Sequence, residues 1–377
     1  MKKIVGILAA AAVLATSVFA ADISARLVQK GSLAGGYDGN VYVLGMGKTH
    51  QKDADLIQFS ASTDKAGASF RLWADMADDE AVKVRKLSFW FKPVDMLKVT
   101  IGFFEPGLYT ERLDWWKVGT AEYYGNVNGW GGVGRYSGAC MGDGYGINLE
   151  LTPVDGLTIA AQFAPGTGNA WLVAPKEGDS TYAKWGAMAK YQIADNISAG
   201  AAFRDNGKDS WKQIRAGVEF GNWGTPYYGF VQPVMLMNGV AKDSGLDGVC
   251  IDNYFSYNFG FMNLQARIPV TIRMTDNDGD PSYMLYNIKA SFPQDGWTPY
   301  VQIQSFDLDD DGTFSACTPT MHKVLRFDEF KFNANIHAGA VFNFGAVSLD
   351  VAAVVNIDTD EGAKTGWYVP FIAAISF

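Results

Sequence analysis

Leu97-Lys98-Val99-Thr100-Ile101-Gly102-Phe103 alternates strictly: Leu97, Val99, Ile101 and Phe103 form one face, and Lys98, Thr100 and Gly102 the other. The stretch Leu264 to Arg273 repeats the pattern, setting Leu264, Ala266, Ile268, Val270 and Ile272 against Gln265, Arg267, Thr271 and Arg273. A period of two is the period of a strand. Such runs recur along the chain at about nine to twelve residues, the length of a strand that crosses a bilayer at a tilt.

Composition agrees. The 377 residues are 48% hydrophobic, 14% aromatic and 19% charged, which excludes a disordered chain. A formal net charge of -9 excludes the basic surface that a nucleic-acid partner needs. Met1-Lys2-Lys3, the apolar run Ile4 to Leu14 and the small residues around Val18-Phe19-Ala20 have the order of a secretory signal. We expect residues 1–20 to be removed and 21–377 to form a single domain. Losing Lys2 and Lys3 takes the bases from 31 to 29 against 40 acids, a mature net charge of -11. Beyond the signal, no window holds the eighteen or so apolar residues of a membrane helix. The exported chain is therefore a soluble β protein or a membrane β-barrel.

The connectors separate these two. Lys92-Pro93-Val94-Asp95, Thr152-Pro153-Val154-Asp155-Gly156, Ala194-Asp195-Asn196 and Pro293-Gln294-Asp295-Gly296 each join two alternating runs and read as hairpin turns. Between those hairpins lie long polar loops at 105–144, 164–181, 205–210, 237–248, 273–282, 307–326 and 358–365. Short turns at one end and long loops at the other is the asymmetry of an outer-membrane barrel, with the turns periplasmic. Strands are expected at 23–29, 54–62, 68–76, 83–92, 96–104, 145–152, 157–163, 182–193, 196–204, 211–221, 225–236, 249–260, 262–273, 283–292, 297–306, 327–344, 346–357 and 366–377. This even set of about 16–18 strands places both termini at the periplasmic end. A further strand at 41–47 would break the parity, so that stretch is assigned to the first external loop.

The chain ends Trp367-Tyr368-Val369-Pro370-Phe371-Ile372-Ala373-Ala374-Ile375-Ser376-Phe377, with Trp367, Val369, Phe371, Ala373, Ile375 and Phe377 on one face. This terminus resembles the closing strand of bacterial outer-membrane porins. The resemblance implies an all-β transmembrane antiparallel barrel in the outer membrane, embedded in its lipid. It also implies that Phe371, Ile375 and Phe377 form an assembly signal read by the barrel-assembly machinery, that the third external loop folds into the lumen, and that the chain is a homotrimer. Pro370 departs from a clean strand and needs a lumen-side or bulged position.

In a barrel, the face opposite the apolar one lines the pore. It collects Arg26, Arg71, Lys86, Lys98, Lys184, Lys190, Arg204, Arg215, Arg267, Arg273, Lys289 and Lys331, with the acids Asp75, Glu150, Glu219, Asp252 and Asp350. The excess of bases predicts a cationic wall beneath an acidic rim, and rings of charge set ion preference in a water-filled pore. The long loop at 105–144 is the third external loop in this count. It holds Glu111, Arg112, Asp114, Trp115, Trp116, Tyr123, Tyr124, Trp130 and Arg135. Folded inward, those rings would stack on sugars while the charged groups hold hydroxyls or carboxylates; otherwise they pack the loop against the wall with no ligand.

Other chemistry is sparse. Asp307, Asp309 and Asp311 match the opening of a calcium loop, yet Thr318 stands where a bidentate Glu is required, leaving at most a weak divalent-cation site. No other cofactor is implied. His50, His322 and His337 lack partners at zinc spacing and no Ser stands in a nucleophile-elbow context, so no enzyme is predicted. Cys140, Cys250 and Cys317 map to the external side, and their pairing is open. The leading reading is a porin passing small polar solutes or ions by diffusion, with modest anion or sugar preference. The alternative is a surface barrel acting as an adhesin with little conductance.

Overall fold

The structure, a computed structural model, describes residues 22–37, 40–46, 55–74, 83–104, 144–164, 184–205, 212–221, 226–237, 248–268, 270–273, 283–284, 286–304, 325–326, 333–358 and 366–377. The alternating runs form β1 (Asp22–Tyr37), β2 (Asn40–Met46), β3 (Asp55–Ser62), β4 (Ala66–Ala74), β5 (Lys83–Val94), β6 (Leu97–Phe104), β7 (Gly144–Leu151) and β8 (Leu157–Ala164). They continue as β9 (Lys184–Ala194), β10 (Ile197–Asp205), β11 (Lys212–Gly221), β12 (Tyr227–Met237), β13 (Gly248–Asn258), β14 (Asn263–Arg267) and β15 (Val270–Arg273). The last are β16 (Tyr283–Met284), β17 (Asn287–Ser291), β18 (Trp297–Gln304), β19 (Leu325–Arg326), β20 (Asn333–Phe344), β21 (Val347–Asp358) and β22 (Gly366–Ser376).

All pairings are antiparallel and the sheet closes, because β22 pairs with both β21 and β1. Closure matters in lipid, where an open edge would leave backbone groups with no partner. Four staves are each built from two segments. β2 and β3 flank successive halves of β1, β14 and β15 successive halves of β13, and β16 and β17 run opposite β15 and β14. β18 and β19 likewise continue one another against β17 and β16. The 22 segments therefore close into 18 staves.

This corrects the assignment of 41–47 to a loop. β2 is a strand, but it shares the stave of β3, since β1 extends to Tyr37 rather than ending near residue 29. The parity survives because the extra segment adds length to a stave and no new stave. The four short turns stand at the β5–β6, β7–β8, β9–β10 and β17–β18 junctions. At the first of these, Asp95 pairs with Lys65 of the neighbouring turn, and that hydrogen-bonded ammonium holds the Asp95 carboxyl below the usual carboxylate range.

Pro370 occupies both positions anticipated for it. It pairs with Ser32 at a register shift that leaves Leu33 as the extra residue of β1, and it is buried on the face opposite Phe371. A bulge next to a residue without an N–H lets the ladder resume at Ala34 and Val369. A second ladder fault lies between β14 and β15, before Pro269. There the Asn253 amide nitrogen donates to the Ile268 carbonyl at 2.6 Å, satisfying a backbone acceptor in the membrane wall.

Glycine facing an aromatic ring recurs where bulky rings lie flat on the wall. Gly339 pairs with Tyr300, and a Cβ at Gly339 would lie 2.7 Å from Tyr300 Cζ. We expect Gly339→Val to displace that ring and cost about 1 to 3 kcal/mol, as overpacked sites do. A lower urea midpoint of the detergent-folded barrel is the check; an unchanged midpoint would show that the ring has room elsewhere.

Candidate functional site: the barrel lumen

Residues directly opposite one another across a ladder share a face of the sheet, so the register carries one face around the whole barrel. Starting from buried Gln162, its partners are Asn148 on β7 and Gly186 on β9. The neighbours on the other face, Leu149, Ile159 and Phe163, are exposed, as are Phe89, Phe91, Val218 and Val301 farther round. Apolar side chains out and polar side chains in is the inversion of a soluble protein and the order of a membrane barrel. The face bearing Gln162 is the lumen.

The register places the predicted lining residues as follows. Arg26, Arg71 and Lys86 fall in one row across β1, β3, β4 and β5, joined through Gln58. Lys98 faces Glu150, and Lys184 and Lys190 occupy the lumen-face positions opposite Ala164 and Thr158. Arg204 and Arg215 follow on β10 and β11, with Glu219 opposite Ser198. Asp252, Arg267 and Arg273 share that face on β13, β14 and β15, and Lys289 on β17 and Asp350 on β21 complete it. Asp75, Lys331, the third-loop residues Glu111, Arg112, Asp114, Trp115, Trp116, Tyr123, Tyr124, Trp130 and Arg135, and the acidic run Asp307, Asp309 and Asp311 lie outside the described residues. So do residues 1–21, Cys140 and Cys317, while Cys250 stands in β13 opposite Val234.

Several lumen charges are held in place. Arg71 donates from Nη2 and Nε to Gln58 Oε1, at 2.9 and 3.2 Å, so a neutral amide orients the cation. Lys98 Nζ sits 4.8 Å from the centre of the Trp90 ring, a cation–π contact. Lys190 is paired with Glu219, whose other oxygen accepts from Tyr228 at 2.7 Å. Lys289 Nζ lies 3.9 Å over the Tyr300 ring, and Tyr300 in turn donates to Asp350 Oδ1 at 2.9 Å. Glu219 and Asp350 thus carry partners of their own, while the described row Arg26, Gln58, Arg71 and Lys86 is built of three bases and an amide.

Sequence reasoning missed part of this lining. Lys30, Lys83, Arg326 and Asp358 also fall at lumen-face register positions. Trp90, Tyr228, Phe230, Tyr254 and Tyr300 are lumenal although aromatic. Their signal was positional: Trp90 stands in phase with Lys86 and Ser88, on the polar face of its run.

No protein-family profile matches the sequence, and no curated protein matches it. Solved structures do. The chain is similar to OpdL of Pseudomonas aeruginosa, at 10% identity and a TM-score of 0.58, over 95% of this chain and 98% of that one. It is similar to OpdK of Pseudomonas aeruginosa, solved with vanillate, at 10% identity and a TM-score of 0.54, over 94% and 99% of the two chains. OccAB4 of Acinetobacter baumannii matches at 7% identity and a TM-score of 0.55, over 94% and 98%. At these identities the likeness is one of fold: a closed β-barrel of the outer-membrane type, matched along nearly its whole length.

Proposed function

We propose that the chain is an outer-membrane porin: a water-filled barrel through which small polar solutes diffuse passively, with a preference for anions. The observation that carries this reading is the lumen row Arg26, Gln58, Arg71 and Lys86, three bases and a neutral amide, on the inner face of a closed barrel whose outer face is apolar. Barrels of this size leave an aqueous channel rather than a side-chain core. Cations fixed in a confined, partly desolvated passage act on a passing ion more strongly than the acids of distant loops, which salt screens beyond about 8 to 10 Å at physiological ionic strength. The mature net charge of -11 therefore does not fix the sign of the selectivity. The trimeric assembly implied by porin resemblance belongs to the same proposal, as does recognition of the terminal strand by the assembly machinery.

Liposome swelling tests the reading. Vesicles containing the purified barrel should swell faster in a small carboxylate such as vanillate than in a neutral solute of similar size. Equal slow swelling in both, with the barrel correctly inserted, would favour a surface interaction protein with little conductance.

A further inference from the structure

Between its charged rows, the lumen wall of β3 to β8 carries a neutral band. One rung of the register runs Trp90, Thr100, Asn148 and Gln162 across β5 to β8, bounded by Gly67 on β4 and Gly186 on β9. The next rung toward the external end is Ser60, Ser69 and Ser88, followed by Gly102 and Gly146. Hydroxyls, amides, glycines and one indole make up both rungs. Arg71 and Lys86 stand one rung above the band, and Lys98 opposite Glu150 one rung below it. Two features go beyond a wall that is merely wetted. The Trp90 indole is laid over Gly67, where a Cβ would stand 2.5 Å from its Nε1, and it remains partly exposed. Asn148 is 7% exposed, and its buried Oδ1 accepts no hydrogen bond among the described residues. An acceptor of that kind is costly to leave unpaired and calls for a donor.

We propose that this band is a binding subsite for a neutral polyhydroxylated solute of the pyranose class. The proposal rests on the channel reading above and is separate from the preference for anions. A pyranose has a flat C–H face and hydroxyls around its edge. The face stacks on the indole, and the hydroxyls bond to Ser and Thr hydroxyls, which both donate and accept, and to the amides. The solute arrives over Trp90, Thr100 and Ser69, which are partly exposed, and one of its hydroxyls donates to Asn148 Oδ1 at the dry end of the row. Charge decides against the other solute classes. A carboxylate would set acceptor against acceptor at Oδ1, and a cation would meet the Lys98 ammonium, which lies 4.8 Å from the centre of the same ring. A neutral donor is what both groups accept.

The test compares D-glucose with sorbitol on the full mature chain. The two solutes are close in size and in hydroxyl content, but only glucose has a closed ring with a flat face. Current through the barrel in a planar bilayer should fall saturably with glucose and only weakly with sorbitol. Asn148→Leu and Trp90→Ala should each raise the half-saturating glucose concentration at least about fivefold. Asn148→Leu is expected to fold, because it replaces an unpaired acceptor by an apolar group of similar shape. Indole fluorescence of the folded barrel in detergent makes the same comparison without current: glucose should give a saturable change in the parent that Trp90→Phe lacks. A conducting parent that responds alike to glucose and sorbitol, with no saturable fluorescence change, would overturn the subsite and leave the channel standing. Glucose block that survives both substitutions would also overturn it. A saturable fluorescence change from barrels that insert and carry no current would keep the subsite and refute the channel reading instead.

Discussion

A chain ending at residue 365 is expected not to form a folded barrel in detergent or lipid. The missing β22 is the one segment that pairs with both β21 and β1, so its loss opens two edges at once. Each backbone group left without a partner in hydrocarbon costs several kcal/mol, and no neighbouring stave can move across to replace it. The observable is the heat-modifiable band on cold gel electrophoresis, which should be absent. Removing Phe377 alone should act in the same direction and less completely. Its N–H donates to the Ala25 carbonyl at 2.9 Å and its carbonyl accepts from the Ala25 N–H at 3.1 Å, the last closed pair of the ring. A truncated chain that still gave a compact, heat-modifiable species would mean that β21 and β1 can pair directly.

The second large effect is expected from charge reversal on the lumen wall. Replacing Arg71 and Lys98 together by Glu exchanges two braced cations for two anions on the partly exposed wall. The zero-current potential across a salt gradient should change sign, from anion-preferring to cation-preferring. The effect should be largest at low salt and shrink toward 1 M, where the screening length falls to about 3 Å. Lys190→Glu should shift the potential less in the same variant series, because Lys190 is paired with Glu219 in the parent. An unchanged potential in the double variant would place the selective charges elsewhere on the wall.

Much of this architecture was legible in the sequence because a strand records its own faces. The run Leu97 to Phe103 states which side is lipid and which is lumen with no knowledge of its neighbours, and the register puts Lys98 and Thr100 where that alternation places them. Pairing is not recorded in this way. β2 looked surplus because its partner, the upper half of β1, is visible only once the sheet is closed. The terminal strand is apolar on both faces, so its alternation could not say that Ile372 and Ala374 line a dry part of the lumen. Trp90 and Tyr300 were overlooked for the opposite reason: their type suggests lipid, while their phase and their contacts with Lys98 and Lys289 put them inside. Burial around the ring is a property of the closed barrel and of no single run.

The central claim, an open aqueous passage through this barrel, is tested most directly by single-channel recording of the purified chain in a planar bilayer. Discrete insertion steps are predicted, with a current linear in voltage, a conductance that rises with bulk salt and a zero-current potential of anion-preferring sign. A chain that is folded, heat-modifiable and inserted, yet carries no current at any salt concentration, would contradict the account.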